Sequence, residues 1–315
     1  MMPGIMLTAL ICLAALLLDH WLGEPRRGHP LVAFGGLVQR LEARLNAGGA
    51  GRRLSGALAL ALLVIPPTLL AAMLAAVLPL GWLTALEVLV LYLAIGHRSL
   101  ALHARAVANP LKVGDLTAAR SAVAMMVSRD ASRLDASGVA VATTESVLEN
   151  GADAVTASLF WFAVAGLPGV VLHRLVNTLD AMWGYRNPRF ERFGWAAARL
   201  DDLLNWIPAR LTAVAYALVG DTRLALRCWR TQARQWDSPN AGPVMAAGAG
   251  ALGLRLGGPA PYADGWRPRP ELGDGEPADA GSIERALILL HRSLMVWLPL
   301  VALISGLGGW LLHGA

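Results

Sequence analysis

The stretch LSGALALALLVIPPTLLAAMLAAVLPLGWLTAL, Leu54–Leu86, runs for 33 residues without a charged side chain. A helix needs about 20 apolar residues to cross a bilayer core, so this run exceeds what one crossing uses. Pro79-Leu80-Gly81 is a turn signal inside it. The stretch therefore reads as a helical hairpin over 54–78 and 82–106, with Tyr92, His97 and Arg98 carrying the second arm out to the polar side. Pro66-Pro67 is expected to kink the first arm. Arg26, Arg27, Arg40, Arg44, Arg52 and Arg53 precede the hairpin, and Arg98, Arg105, Lys112, Arg120, Arg129 and Arg133 follow it. Basic segments stay on the cytoplasmic side of a membrane, so both flanks are expected there.

Working outward, residues 1–18 are uncharged and just long enough to span, and they lack the basic n-region of a cleaved signal. Residues 293–312 give a last uncharged span. The run 155–172 is interrupted by Gly166-Leu167-Pro168-Gly169 and is followed by Arg174, Arg186, Arg189, Arg192 and Arg199. A plain crossing would put those arginines outside, so a broken or re-entrant helix is expected. The fold class is then all-α: a polytopic integral membrane helical bundle with about four spans plus re-entrant or interfacial helices. It reads as a single membrane-embedded domain, with polar segments at 19–53, 107–153 and 173–210 and an irregular polar segment at 238–287. Composition agrees, since 56% of residues are hydrophobic and only 16% are charged, against about 25% charged in soluble domains.

Several chemistries are excluded. Lys112 is the only lysine and sits in Asn-Pro-Leu-Lys-Val, so there is no P-loop. The net charge of +5 comes from arginines scattered between apolar runs, which argues against a nucleic-acid partner. Cys12 and Cys228 are far apart and offer neither a disulfide framework nor a thiolate site. The G-x-S-x-G elbow and H-E-x-x-H are missing. Gly248, Gly250 and Gly253 match G-x-G-x-x-G, but no strand pattern precedes them. Arg223, Arg227, Arg230 and Arg234 form a basic helix face that suits an anionic membrane surface or is simply solvated.

What remains is carboxylate, amide and arginine. Ser128–Asp153 concentrates Arg129, Asp130, Arg133, Asp135, Glu145, Glu149, Asn150 and Asp153. Glu145, Glu149 and Asp153 fall at i, i+4 and i+8, an acidic stripe on a helix that calls for a divalent metal or an arginine among the charges. A second block holds Asn177, Thr178, Asp180, Tyr185, Arg186 and Asn187, then Arg199, Asp201, Asp202, Asn205 and Arg210. Such donors suit Mg²⁺ with an anionic or phosphorylated substrate, and a transporter with buried ion pairs is the competing reading. Asp19-His20-Trp21-Leu22-Gly23-Glu24-Pro25 and His29-Pro30 are either a rigid binding turn or an interface anchor.

These blocks resemble the CobD/CbiB family of cobalamin biosynthesis, the adenosylcobinamide-phosphate synthases. They occur in family order: D-x3-G-[DE]-P with H-P at Asp19–Pro30, S-R-D-x-S-x-L-D at Ser128–Asp135, and E-[ST]-V-x-E-N-x-x-D at Glu145–Asp153. N-T-L-D-x-M-x-G-Y-R then fills 177–186, F-G-x-A-x-A-R-L-D-D-x-x-N-x-x-P-A-R-L fills 193–211, and S-P-N-A-G lies at 238–242. The resemblance implies a C–N ligase of the cell inner membrane, with its catalytic segments facing the cytoplasm. It would join aminopropanol, or its phosphate, to the propionate carboxylate of adenosylcobyric acid, with Mg²⁺ and ATP. Its partners would be the corrinoid substrate, the lipid bilayer and other membrane enzymes of cobalamin assembly.

On that resemblance, His29, Arg129, Asp130, Asp135, Glu145, Glu149, Asn150 and Asp202 are the catalytic candidates, with His29 or a carboxylate taking the amine proton. Asn177, Asp180, Tyr185, Arg186, Arg199, Asn205, Arg210 and Asn240 are the substrate-binding candidates. Metal ligands come from Glu145, Glu149 and Asp153, or from Asp180 with Asp201 and Asp202. The alternatives are a sensory or regulatory membrane protein like the AmpE relatives, or a corrinoid or organic-anion transporter. One departure stands out: the family's D-G-x-x-x-P is here Asp153-Ala154-Val155-Thr156-Ala157-Ser158, which is expected to make the start of the apolar run more regularly helical.

Overall fold

Hydrophobic runs without charges become helices because a helix satisfies its own backbone polar groups in hydrocarbon. The computed structural model describes residues 2–25, 27–47, 52–262 and 265–313. Met1 of the first span, Arg26 of the basic flank, and parts of the polar segments 19–53 and 238–287 lie outside the described residues. In chain order the helices are α1 (Met2–Leu22), α2 (Pro30–Leu45), α3 (Arg53–Val77), α4 (Leu80–Ile95), α5 (His97–Lys112) and α6 (Leu116–Val123). After them come α7 (Ala136–Asn150), a π-helical turn (Gly151–Thr156), α8 (Ala157–Trp183), α9 (Trp195–Val219), α10 (Thr222–Gln232), α11 (Ala241–Leu252) and α12 (Ala280–His313). Four helical stretches are long and apolar enough to cross a membrane: Arg53–Val77, Leu80–Lys112, Ala136–Trp183 and Ala280–Gly306. The protein is an all-α polytopic membrane protein.

Three local features differ from the sequence reading. The second hairpin arm is broken at Gly96, which adopts φ 60° and ends α4 as a left-handed cap. Only glycine takes that conformation without strain, and a Cβ there would stand 2.6 Å from Glu24 Oε1. The segment after Asp153 is a π turn where a more regular helix was expected. Tyr216 donates its hydroxyl to the Leu148 carbonyl at 3.1 Å, and an outside donor on a helix carbonyl loosens the i→i−4 ladder. Gly151 makes room there, since a Cβ would lie 2.7 Å from Leu290 Cδ1. Lastly, 238–287 is not irregular throughout. It opens with α11, whose glycines allow close packing: a Cβ on Gly248 would meet Leu148, and one on Gly250 would meet the Ala225 backbone, each at 2.8 Å. Short strands β1 (Leu254–Gly257), β2 (Ala260–Tyr262), β3 (Gly265–Arg267), β4 (Glu271–Gly273) and β5 (Glu276–Pro277) follow. β1 pairs antiparallel with β4 and parallel with β5, and β2 pairs antiparallel with β3.

The chain forms two compact units. The first comprises Met1–Gly96, Ala157–Asn205 and Leu298–Ala315, and the second His97–Thr156 and Trp206–Trp297. The core of the first unit joins Val38 of α2, Leu63 of α3, Val176, Leu179 and Trp183 of α8, and Leu204 of α9. Phe193 packs edge-on against Trp183 with ring centres 4.9 Å apart. The second core gathers Val107, Val147, Leu148, Tyr216, Ile283 and Leu290.

Within the first unit, Glu42 is buried and accepts Arg189 Nη2 at 2.7 Å and Asn46 Nδ2 at 2.7 Å. The hydrogen-bonded Arg189 guanidinium holds the Glu42 carboxyl below its ordinary 4.5. Because the folded value is depressed, this stabilisation is complete above the ordinary carboxylate pKa and disappears as pH falls through the folded value. Glu42→Gln is therefore expected to melt below wild type at neutral pH, with the difference closing as the pH is taken down toward 3. A gap that stays constant from pH 7 to pH 3 would show that charge is not its source.

Candidate active site

Helical periodicity puts His173, Asn177 and Asp180 on one face of α8, at i, i+4 and i+7, and Asp201 and Asn205 on one face of α9. In the first unit these faces join in a hydrogen-bonded chain. Arg174 Nη1 donates to Asn177 Oδ1 at 2.9 Å, and Asn177 Nδ2 reaches Asp201 Oδ1 at 3.4 Å. Asn205 Nδ2 donates to Asp201 Oδ2 at 2.9 Å, and His173 Nε2 lies 3.1 Å from Asn205 Oδ1. His173, Asn205 and Asp201 are all buried.

Burial pushes the Asp201 carboxyl up to about 6, against the pull of the Asn205 and Asn177 amides, and the neighbouring Asp202 charge adds to the rise. Asp202 is half-buried and also raised by burial, opposed by Arg199 and Arg186. Arg199 Nη1 stands 3.6 Å from Asp202 at the surface, where such a pair contributes little. A carboxyl that titrates near neutrality can exchange a proton at working pH, as an unperturbed aspartate cannot. Asp180 is half-buried on the same face of α8, while Tyr185 and Arg186 lie exposed in the turn beyond it.

His29 caps α2, its Nδ1 accepting the Leu31 N–H at 3.2 Å. That bond leaves the ring proton on Nε2. His29 is then a donor at Nε2. It lines an apolar cavity of about 230 Å³ together with Pro67, Leu93, Val170 and Arg174.

The second unit treats the acidic block differently. Glu145 is 2% exposed. Arg269 Nη2 donates to its Oε1 at 2.8 Å and Arg269 Nη1 to its Oε2 at 3.2 Å, while Arg129 Nη2 donates to Oε2. The Gly257 N–H adds a bond to Oε1 at 2.7 Å. The cation expected beside this carboxylate is a pair of arginines, so Glu145 has no oxygen left for a metal. The π turn also takes Asp153 out of helical phase with Glu145 and Glu149. Among the described residues no three His, Cys, Asp or Glu side chains are grouped to hold a metal ion.

Asp130 and Asp135 are caps. Asp130 Oδ1 accepts from Ser132 N at 3.2 Å and Ser132 Oγ at 2.6 Å, and Asp135 Oδ1 accepts from Gly138 N at 2.7 Å. Aspartate is a favoured N-cap because its carboxylate accepts a backbone N–H of the first turn. Asn150 Nδ2 turns back to Ser146 O at 2.9 Å, and Glu149 is half-buried on α7. Arg210 lies over Trp206 and donates to Asn240 Oδ1 at 3.1 Å and Pro239 O at 3.1 Å, fixing the Ser238–Gly242 turn.

Two partners were missed in the sequence. His173 sits four residues before Asn177, and that spacing could have found it. Arg269 meets Glu145 across 124 positions, and no local pattern marks it.

The family described as "CobD/Cbib protein" matches residues 12–290. The chain is 62% identical over 300 residues to a cobalamin biosynthesis protein CobD of Stutzerimonas stutzeri, covering 95% of this chain and 97% of that protein. It is 55% identical to one from Chromobacterium violaceum, covering 93% and 95%. A relative of the same name from Mycobacterium tuberculosis is 42% identical, covering 87% and 88%. The chain belongs to the CobD/CbiB family. No solved structure matches it.

Proposed function

We propose that this protein works in cobalamin biosynthesis as a membrane-embedded amide-forming enzyme. It condenses the propionate carboxylate of adenosylcobyric acid with aminopropanol or its phosphate. The observation that carries the reading is the buried Asp201, held by two asparagine amides and raised to about 6, on the family's N-T-L-D and R-L-D-D-x-x-N blocks. A carboxylate is a poor electrophile. ATP phosphorylates it, releasing ADP, and the amine then attacks the acyl carbon and displaces phosphate. The amine must lose a proton in that step, and Asp201 is the acceptor with a matched pKa. Arg174, Arg186 and Arg199 meet the phosphate and carboxylate oxygens, as guanidinium groups do.

Asp202 and Asp180 would supply the hard oxygens that Mg²⁺ prefers. This ion typically takes one or two protein carboxylates and completes its shell with substrate phosphates. When bound, it would neutralise charge on the transferring phosphoryl group. The proposed site faces the cytoplasm at the inner membrane, where ATP is present.

Purified protein in detergent, given adenosylcobyric acid and each form of the amine, tests the reading. The expected product has the mass of the two substrates less one water, and it forms only with ATP and Mg²⁺. A folded preparation that makes no amide with either amine would overturn it. Corrinoid uptake into liposomes by such a preparation would favour a transporter instead.

A further inference from the structure

We infer that His173 is a positioning residue that acts through Asn205 to hold Asp201 in its reactive orientation. This deepens the reading of the Asp201 site given above and stands on the hydrogen bonds that hold its carboxylate, not on its titration. Asn205 Nδ2 donates to Asp201 Oδ2 at 2.9 Å, so its Oδ1 must face the other way. There it meets His173 Nε2 at 3.1 Å. An amide oxygen only accepts, so the histidine proton resides on Nε2.

The histidine reinforces a choice that the Asp201 carboxylate, an acceptor only, already favours. An asparagine side chain presents N–H on one side and oxygen on the other, and rotating it by half a turn exchanges the two. Rotated, Asn205 would aim its oxygen at the Asp201 carboxylate and its N–H at a ring nitrogen. The His173 Nε2–H penalises that rotation, because two donors would then face each other. His173 is fully buried, and its Nδ1 has no hydrogen-bond partner among the described residues. A buried acceptor left unsatisfied is costly. A residue kept only for packing would be better served by leucine.

The role predicts a specific pattern of rescue. A glutamine amide nitrogen can reproduce histidine Nε2–H, whereas the shorter asparagine falls short of it. His173→Leu is expected to lower kcat for amide formation roughly 10- to 100-fold, as removing an orienting partner generally does, with KM little changed. His173→Gln should recover most of the loss and His173→Asn should not. In an Asn205→Ala background, His173→Leu should cost nothing further, because its effect passes through Asn205. Equal losses in the Gln, Asn and Leu variants, or losses of His173→Leu and Asn205→Ala that multiply, would overturn the inference.

A second readout needs no turnover. In protein carrying ¹⁵N-histidine, with His173 assigned from the His173→Gln spectrum, the ring should show the Nε2–H tautomer. The Nδ1–H tautomer would sink the inference in any preparation. Failure of wild type to make amide would count against the amide-forming reading, while the tautomer alone decides the geometry of His173.

Discussion

Glu145→Gln is expected to destabilise the second unit by roughly 3–5 kcal/mol, the usual result of removing one partner from a buried ion pair. Arg129 and Arg269 are themselves largely buried, with side chains 11% and 12% exposed against 2% for the carboxylate they share. Neutralising Glu145 leaves two guanidinium groups facing each other with no counter-charge. The loss should be felt first at the strand segment, because Glu145 also holds the Gly257 N–H and Arg269 grips the Gly258 carbonyl at 3.0 Å. Thermal unfolding in detergent should show a lower midpoint. Limited proteolysis should cut earlier near 254–277 than in wild type. An unchanged melting curve would mean that the carboxylate does not anchor the strands.

Asp201→Asn should do the reverse. An asparagine there keeps the shape and its oxygen can still accept from the Asn205 amide, its nitrogen replacing only the oxygen that takes the long 3.4 Å contact from Asn177, while the cost of burying a charge beside Asp202 disappears. The variant should melt at or slightly above wild type. It should nevertheless lose about 10²- to 10⁴-fold in amide formation, the range a positioned general base contributes. Asp201 and Glu145 are both buried acids in motif blocks, and the fold surrounds them with opposite partners. One is saturated by two cations. The other is held by neutral amides and kept near its titration point.

That contrast explains what could be read in advance. Spans show in the sequence because lipid imposes a local rule, uncharged runs of membrane length, and Leu54–Leu86 obeys it over its whole extent. Gly166-Leu167-Pro168-Gly169 likewise marks the point where α8 departs from helical dihedrals, with Gly166 at φ 59°, since glycine and proline act through their own backbone. The pairing of Glu145 with Arg269 is invisible because it closes across the chain and leaves no spacing. The π turn is invisible for a similar reason: the Tyr216 hydroxyl that disturbs the Leu148 carbonyl arrives from α9.

The segment 241–252 reads as irregular because glycine and proline usually signal turns. Here Gly248 and Gly250 are what let α11 approach α7 and α10 closely. In the second polar block, the i, i+4 spacing of Asp201 and Asn205 does carry over into a hydrogen bond. The cap roles of Asp130 and Asp135 were also open to reading, as aspartate just ahead of a helical run is a helix-start signal.

Melting and amide formation recorded on the same preparations of wild type, Glu145→Gln and Asp201→Asn put the division of labour to the test. The account predicts an early-melting Glu145→Gln protein and an Asp201→Asn protein that melts normally but makes almost no amide. Wild-type turnover by the Asp201→Asn protein would contradict it outright.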